Sequence, residues 1–151
     1  MAALSLLETT DSAAWDARLP QSPQATVYCS TPFLTALGGR YRLFEVRDGQ
    51  RTVALLPLSE DASGERVVAM PFTPHQGLLF LHDAAAPNRQ RVLDEFRIGE
   101  LVAAELATRY REVRLSLSWQ VQDLRPFLWH NYHEAEASHF SVSPRYTAVL
   151  D

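Results

Sequence analysis

"YRLFEVRDGQRTVALLPL", Tyr41 to Leu58, is the stretch around which the rest of the chain arranges itself. "YRLFEVR" alternates with a period of two, Asp48-Gly49-Gln50 turns, and "RTVALLPL" returns. That pattern is a β-hairpin. Upstream, "ALSLLE" (Ala3 to Glu8) predicts a short first strand. Thr10, Asp11 and Ser12 offer N-caps for a helix carrying Ala14, Trp15 and Leu19 that stops at Pro20. "TVYCS" reads as brief and extended. Ser30 or Thr31 then caps a second helix, with Pro32 at its start and Gly38-Gly39 at its end.

Downstream of the hairpin, a polar turn leads to "RVVAM", a strand stopped by Pro71. "PFTPHQG" (Pro71 to Gly77) is irregular, and "LLFL" resumes an extended run. Asn88 is placed to cap a long helix to Tyr110. Val92, Phe96, Gly99, Ala103, Leu106 and Tyr110 recur at spacings of three and four as one buried stripe, with Arg97, Glu100 and Arg111 off it. "EVRLSLS" alternates as a strand, and "DLRPFLWHN" predicts a short helix capped by Asp123. An extended "YHEAEASHF" follows, and "RYTAVLD" (Arg145 to Asp151) alternates as a closing strand entered through Pro144. The expected order is β-α-α-β-β-β-α-β-α-β-β, without repeats or low-complexity tracts.

Composition narrows the function classes. At 151 residues and 46% hydrophobic, the chain suits one compact domain with a sizeable core. A net charge of −4 argues against nucleic acid or an anionic membrane as partner. All 14 basic residues are Arg, so a Schiff-base lysine, a lysine base and a phosphate loop ending in Lys are excluded. The single cysteine, Cys29, forbids an internal disulfide and points to a reducing, cytoplasmic setting. "MAALSLLETTDSAAW" lacks the basic and apolar regions of a signal peptide. No apolar run approaches the roughly 20 residues of a membrane helix.

Five pieces, "SPQATVYCSTPFLTALG", "LFEVRDGQRTVALLPL", "MPFTPHQGLL", "DLRPFLWHNY" and "PRYTAVLD", run in an order that resembles the first half of FemAB-like proteins. These are the double-GNAT relatives of the peptidoglycan-bridge aminoacyltransferases, and the pieces cover nearly the whole chain. The resemblance implies an α/β fold: a single GNAT-like domain over residues 1–151, with a mixed, mostly antiparallel sheet flanked by helices. It implies a second, similar domain after "PRYTAVLD", and an acyl-CoA or aminoacyl donor bound only with that domain. It further implies that a V-shaped split of the sheet lies at "PFTPHQG". One departure stands out: where peptidoglycan-bridge members carry a basic residue four positions after the aromatic of Ser-x-x-Trp, this chain has Ser30, Phe33 and then Leu37. A UDP- or lipid-linked cell-wall precursor is therefore in doubt as ligand.

An acyl-CoA site of GNAT type needs glycines before a helix N-terminus, so that phosphates can approach backbone N–H groups. "HDAAAPNRQRV" has no glycine there, Pro87 lacks an N–H, and Asp83 would repel phosphate. No cofactor is expected in this chain. "PFTPHQG" is expected to form a bulge that aims side chains into a cleft, with Phe72, His75 and Gln76 as ligand contacts. The alternative is that the prolines only splay two strands and that His75 is solvated. Arg125 with Trp119 and Trp129 offers a guanidinium beside an aromatic wall, suited to a carboxylate or phosphate. The preferred account there is a plain core, with Arg125 paired to Asp123 or Glu134. His130, His133, His139, Glu134 and Glu136 match no zinc spacing, and Cys29 reads as a small buried hydrophobe.

The leading expectation is thus a catalytically incomplete acyl- or aminoacyltransferase domain that supplies substrate-binding surface for a small-molecule or peptide acceptor. The alternative is a non-enzymatic GNAT-fold module that dimerises through the edge of its last strand. A stand-alone N-acetyltransferase is disfavoured by the missing phosphate turn.

Overall fold

The computed structural model describes residues 3–81 and 85–146. The hairpin stands as expected, with β2 (Arg40–Asp48) and β3 (Arg51–Glu60) antiparallel around Gly49-Gln50. Gly49 takes a φ of 59°, a left-handed turn that a side chain would strain. β1 (Leu4–Thr9) lies antiparallel along β2. On the other side of β3 lie β4 (Arg66–Val67) and β5 (Leu79–Phe80), and β6 (Glu112–Val113) runs parallel to β4. The sheet is mixed and mostly antiparallel, in the order β1-β2-β3-β4-β6, with β5 also on β3.

Both faces of the sheet are covered, because a parallel β4–β6 pair requires a crossover and here the crossover is a helix. α3 (Asn88–Arg109) makes that connection. Its Ile98, Val102 and Leu106 pack on Phe44, Val46, Leu56 and Leu58. On the opposite face, Trp15 of α1 (Ser12–Arg18) and Leu34 of α2 (Thr31–Leu37) pack on Leu43, Leu55 and Leu79. Covering both faces explains why β3 is buried at every residue from Ala54 to Glu60. The caps at Asp11 and Ser30 form as expected: each side chain accepts from the N–H three residues on.

Several local expectations are corrected by packing. "TVYCS" is a 3-10 turn at Val27–Cys29, whose Cys29 carbonyl accepts from the indole N–H of buried Trp15 at 2.9 Å. α3 is capped by Pro87, without a side-chain bond from Asn88. Its buried face is centred on Ile98 and Val102, and Val92 is exposed, since the helix buries side chains only from Ile98 onward. α4 (Arg125–Leu128) has Leu124 at the cap position, while Asp123 accepts from the Arg125 N–H. α4 seats against α3 where Gly99 meets the Pro126 ring, and a Cβ on Gly99 would lie 2.7 Å from it.

"RVVAM" and "EVRLSLS" pair regularly over only two residues each. "YHEAEASHF" is a series of turns, in which Glu134 N–H bonds Asn131 O and Ala137 N–H bonds Glu134 O. It therefore offers no edge to a closing strand. Arg145 and Tyr146 are not in a strand, and the remainder of "RYTAVLD" lies outside the described residues. The described sheet instead ends at β1 on one side and β6 on the other. Among the described residues, no helix is long and apolar enough to cross a membrane.

Candidate functional site

The site is created by a break in one strand. Between the pairs Glu60↔Val67 and Leu55↔Leu79, β3 spends residues 56–59 while its neighbour spends residues 68–78. Seven extra residues are looped out of the sheet, and "PFTPHQG" is their irregular part. β3 prepares for this gap. Val53 O accepts from Leu81 N–H and Ser59 O from Val68 N–H, so odd residues of β3 turn their backbone groups toward the broken neighbour. Pro57 is one of them and has no N–H to leave unpaired. Ser59 does have one, and the Gln76 side-chain oxygen accepts it at 3.2 Å.

The looped-out segment is then pinned to the chain following β6 by one residue. Ser116 N–H bonds Gln76 O, Gln76 N–H bonds Ser116 O, and the Ser116 hydroxyl donates to Pro74 O at 2.9 Å. Beyond this clamp the two segments diverge, since β4 and β6 are parallel whereas Gln76 and Ser116 meet antiparallel. A cleft of about 1040 Å³ opens between them. Its walls are residues 69–70, 72–75 and 113–119, Val121, Leu124 and Phe127 also line it, and residues 140–146 form the remaining side.

Of the expected contacts, three meet at this cleft: Phe72, His75 and Trp119. His75 is half-buried, and its Nδ1 is sequestered from solvent without a hydrogen-bond partner among the described residues. Gln76 is not a cleft residue. It is 6% exposed, and its oxygen is occupied inside the sheet. Arg125 also stands apart, because Asp123 binds its guanidinium at 2.8 and 2.6 Å and its charge lies over Phe96 and Trp129. The Arg125 pairing holds the Asp123 carboxyl below its ordinary range. The expected pairing of Arg125 with Asp123 thus forms, but the plain core does not: Trp119 and Trp129 are both exposed, and of the two only Trp119 lines the cleft.

Sequence reasoning missed Pro57, Ser116 and the two basic residues that line the cleft, Arg114 and Arg145. Pro57 carried a usable signal, since proline inside an otherwise central strand demands a neighbour that does not pair. Ser116 carried none, because its role depends on which segment the crossover brings beside it. Among the described lining residues there is no carboxylate, so the cleft's formal charge comes only from arginine.

Two buried carboxylates, Glu45 and Glu60, are held in structural pairs. Glu45 is bracketed by Arg18 at 2.9 Å and Arg47 at 2.8 Å, with Thr52 donating to it. Glu60 accepts from the Tyr110 hydroxyl at 2.7 Å and faces Arg42 and Arg40. Burial, and then the adjoining Glu60, push the Tyr110 phenol well above its ordinary range. Burial also raises the Cys29 thiol, which makes it a poor nucleophile. At the α3 N-terminus the cap is Pro87, which adds no N–H toward an anion. Asp83 lies outside the described residues. No family model, curated protein or solved structure matches the chain.

Proposed function

We propose that this chain is a GNAT-like domain acting as the substrate-binding part of a FemAB-like acyl- or aminoacyltransferase, catalytically incomplete by itself. The observation that supports the reading is the broken strand: the chain leaves the sheet after β4, α3 crosses over, and the segment following parallel β6 diverges from the looped-out segment to open a cleft. In a GNAT fold the split between two parallel strands is where the substrates meet, so this cleft is the counterpart by resemblance. The proline-capped start of α3 and the glycine-free sequence before it favour an acceptor site over an acyl-CoA site. A second domain would then supply the acyl or aminoacyl donor.

Two measurements test this. Calorimetric titration with acetyl-CoA should show no saturable site. A Kd at or below about 10 μM, some −7 kcal/mol, would overturn the incomplete-domain reading. Amide NMR shifts on titration with a library of small organic anions should cluster at residues 72–76 and 114–119. Shifts centred elsewhere would remove the cleft as the ligand site.

A further inference from the structure

Phe72 is placed in a way that the fold alone does not explain. Its backbone φ is 60°, in the left-handed region that a bulky side chain enters only under strain. Such strain persists only where the surroundings impose it, and packing of the side chain does not impose it here, since Phe72 is 85% exposed. The backbone around it is fixed. Thr73 is buried, its N–H bonds Met70 O and its hydroxyl donates to Pro71 O, and Pro74 and Gln76 are clamped by Ser116. A glycine would satisfy this turn without strain, and the phenyl ring adds nothing to the core. What the ring does have is a place on the wall of the cleft, in company with Trp119 and Tyr146, which are also exposed.

The remaining chemistry of the cleft says what such a ring would hold. The described lining has no carboxylate and two arginines. Arg114 is already paired with Glu112 at 2.8 Å, whereas Arg145 has no carboxylate partner among the described residues. His75 Nδ1 is sheltered and has no partner among the described residues, which leaves it a ready hydrogen-bonding atom. Ser118, Ser141 and Ser143 add hydroxyls, and Leu117, Phe127 and Phe140 add apolar surface. Apolar walls, a few hydroxyls and a described lining whose only formal charge is arginine suit an organic anion with a flat or aliphatic portion.

We propose that Phe72 is a ligand-contact residue that closes over the apolar portion of an organic anion in this cleft, with the anionic group facing Arg145. This rests on the cleft being the ligand site. The exposed and strained ring is then accounted for, because its burial is completed by the ligand.

The test uses two fluorescent probes that share an apolar ring system: 8-anilinonaphthalene-1-sulfonate, which is anionic, and N-phenyl-1-naphthylamine, which is neutral. The unaltered chain should bind both saturably. Phe72→Gly should weaken both at least fivefold while leaving the melting temperature unchanged or raised, since glycine relieves the left-handed turn. Arg145→Ala should weaken the sulfonate at least threefold and spare the neutral probe. Leu93→Ser, on the exposed start of α3, should change neither. Unchanged probe affinity in Phe72→Gly, or a lowered melting temperature, would overturn the role of Phe72 and leave the cleft standing. Absence of a saturable site in the unaltered chain, or loss of binding in Leu93→Ser, would overturn the cleft reading and the proposal together.

Discussion

The hairpin and the last third of the chain are built by opposite means. In β2 and β3, side-chain alternation, a glycine turn and a continuous register agree, so each residue reinforces its neighbours. From Arg114 to Tyr146 regular structure is limited to one isolated bridge and one four-residue helix, and the segment is held by contacts to distant parts. Ser116 ties to Pro74 and Gln76, Pro126 sits on Gly99, and Phe127 stacks edge-on against Phe140. The first region is a scaffold whose stability is local and cooperative. The second is positioned by the scaffold, and it is the one that forms the cleft. A surface whose shape is set from outside can vary its side chains with little effect on folding.

That contrast can be broken most directly at the scaffold. Phe44 is fully buried between the sheet and α3, so Phe44→Ala should cost about 3–5 kcal/mol in a urea titration. A loss below 1 kcal/mol would mean that the hairpin is not the cooperative core. Next in size is the seam between the two regions. Gln76→Ala removes the acceptor for the Ser59 N–H where β3 lacks a neighbour, and should cost about 1–3 kcal/mol. An effect near zero would place Gln76 with the cleft residues, as the sequence had suggested.

Tyr110→Phe sharpens the comparison by pH. The phenol bonds buried Glu60, and its loss should cost about 1–2 kcal/mol near neutrality. Because burial and Glu60 raise the folded phenol's pKa, its contribution is fully present below the ordinary tyrosine value of about 10 and declines as pH rises through the higher folded value. Thermal melts from pH 8 to 11 should therefore fall less steeply for the variant, and parallel slopes would contradict this account. The smallest effect is expected at the cleft. His75 has no partner for its Nδ1 among the described residues, so His75→Ala should change stability by less than about 1 kcal/mol. A large drop in melting temperature would make it a structural histidine.

The sequence by itself determined the scaffold. Alternation around Gly49 and the caps at Asp11 and Ser30 are local signals written within a few residues, and each forms where it was legible; the helix after Pro87 also forms, but its stripe is buried only from Ile98 on. "PFTPHQG" was legible as a break, because two prolines and a glycine cannot sustain a ladder. Where the break leads was not. Phe72, His75 and Gln76 lie within five residues, yet two face the cleft and the third faces the sheet. Only the Ser59 N–H, which finds no strand partner there and donates to the Gln76 side chain, decides that. Arg125 is diverted by Asp123 and the aromatic side chains of α3 and α4, while Arg114 and Arg145 are brought to the cleft. "YHEAEASHF" carried strand-like spacing, but no sheet edge reached it, and it closed its own hydrogen bonds in turns. Backbone groups must be satisfied by whatever is nearest in space. In the hairpin the nearest groups are sequence neighbours; in the cleft they arrive from 40 residues away, and only the tertiary structure brings them.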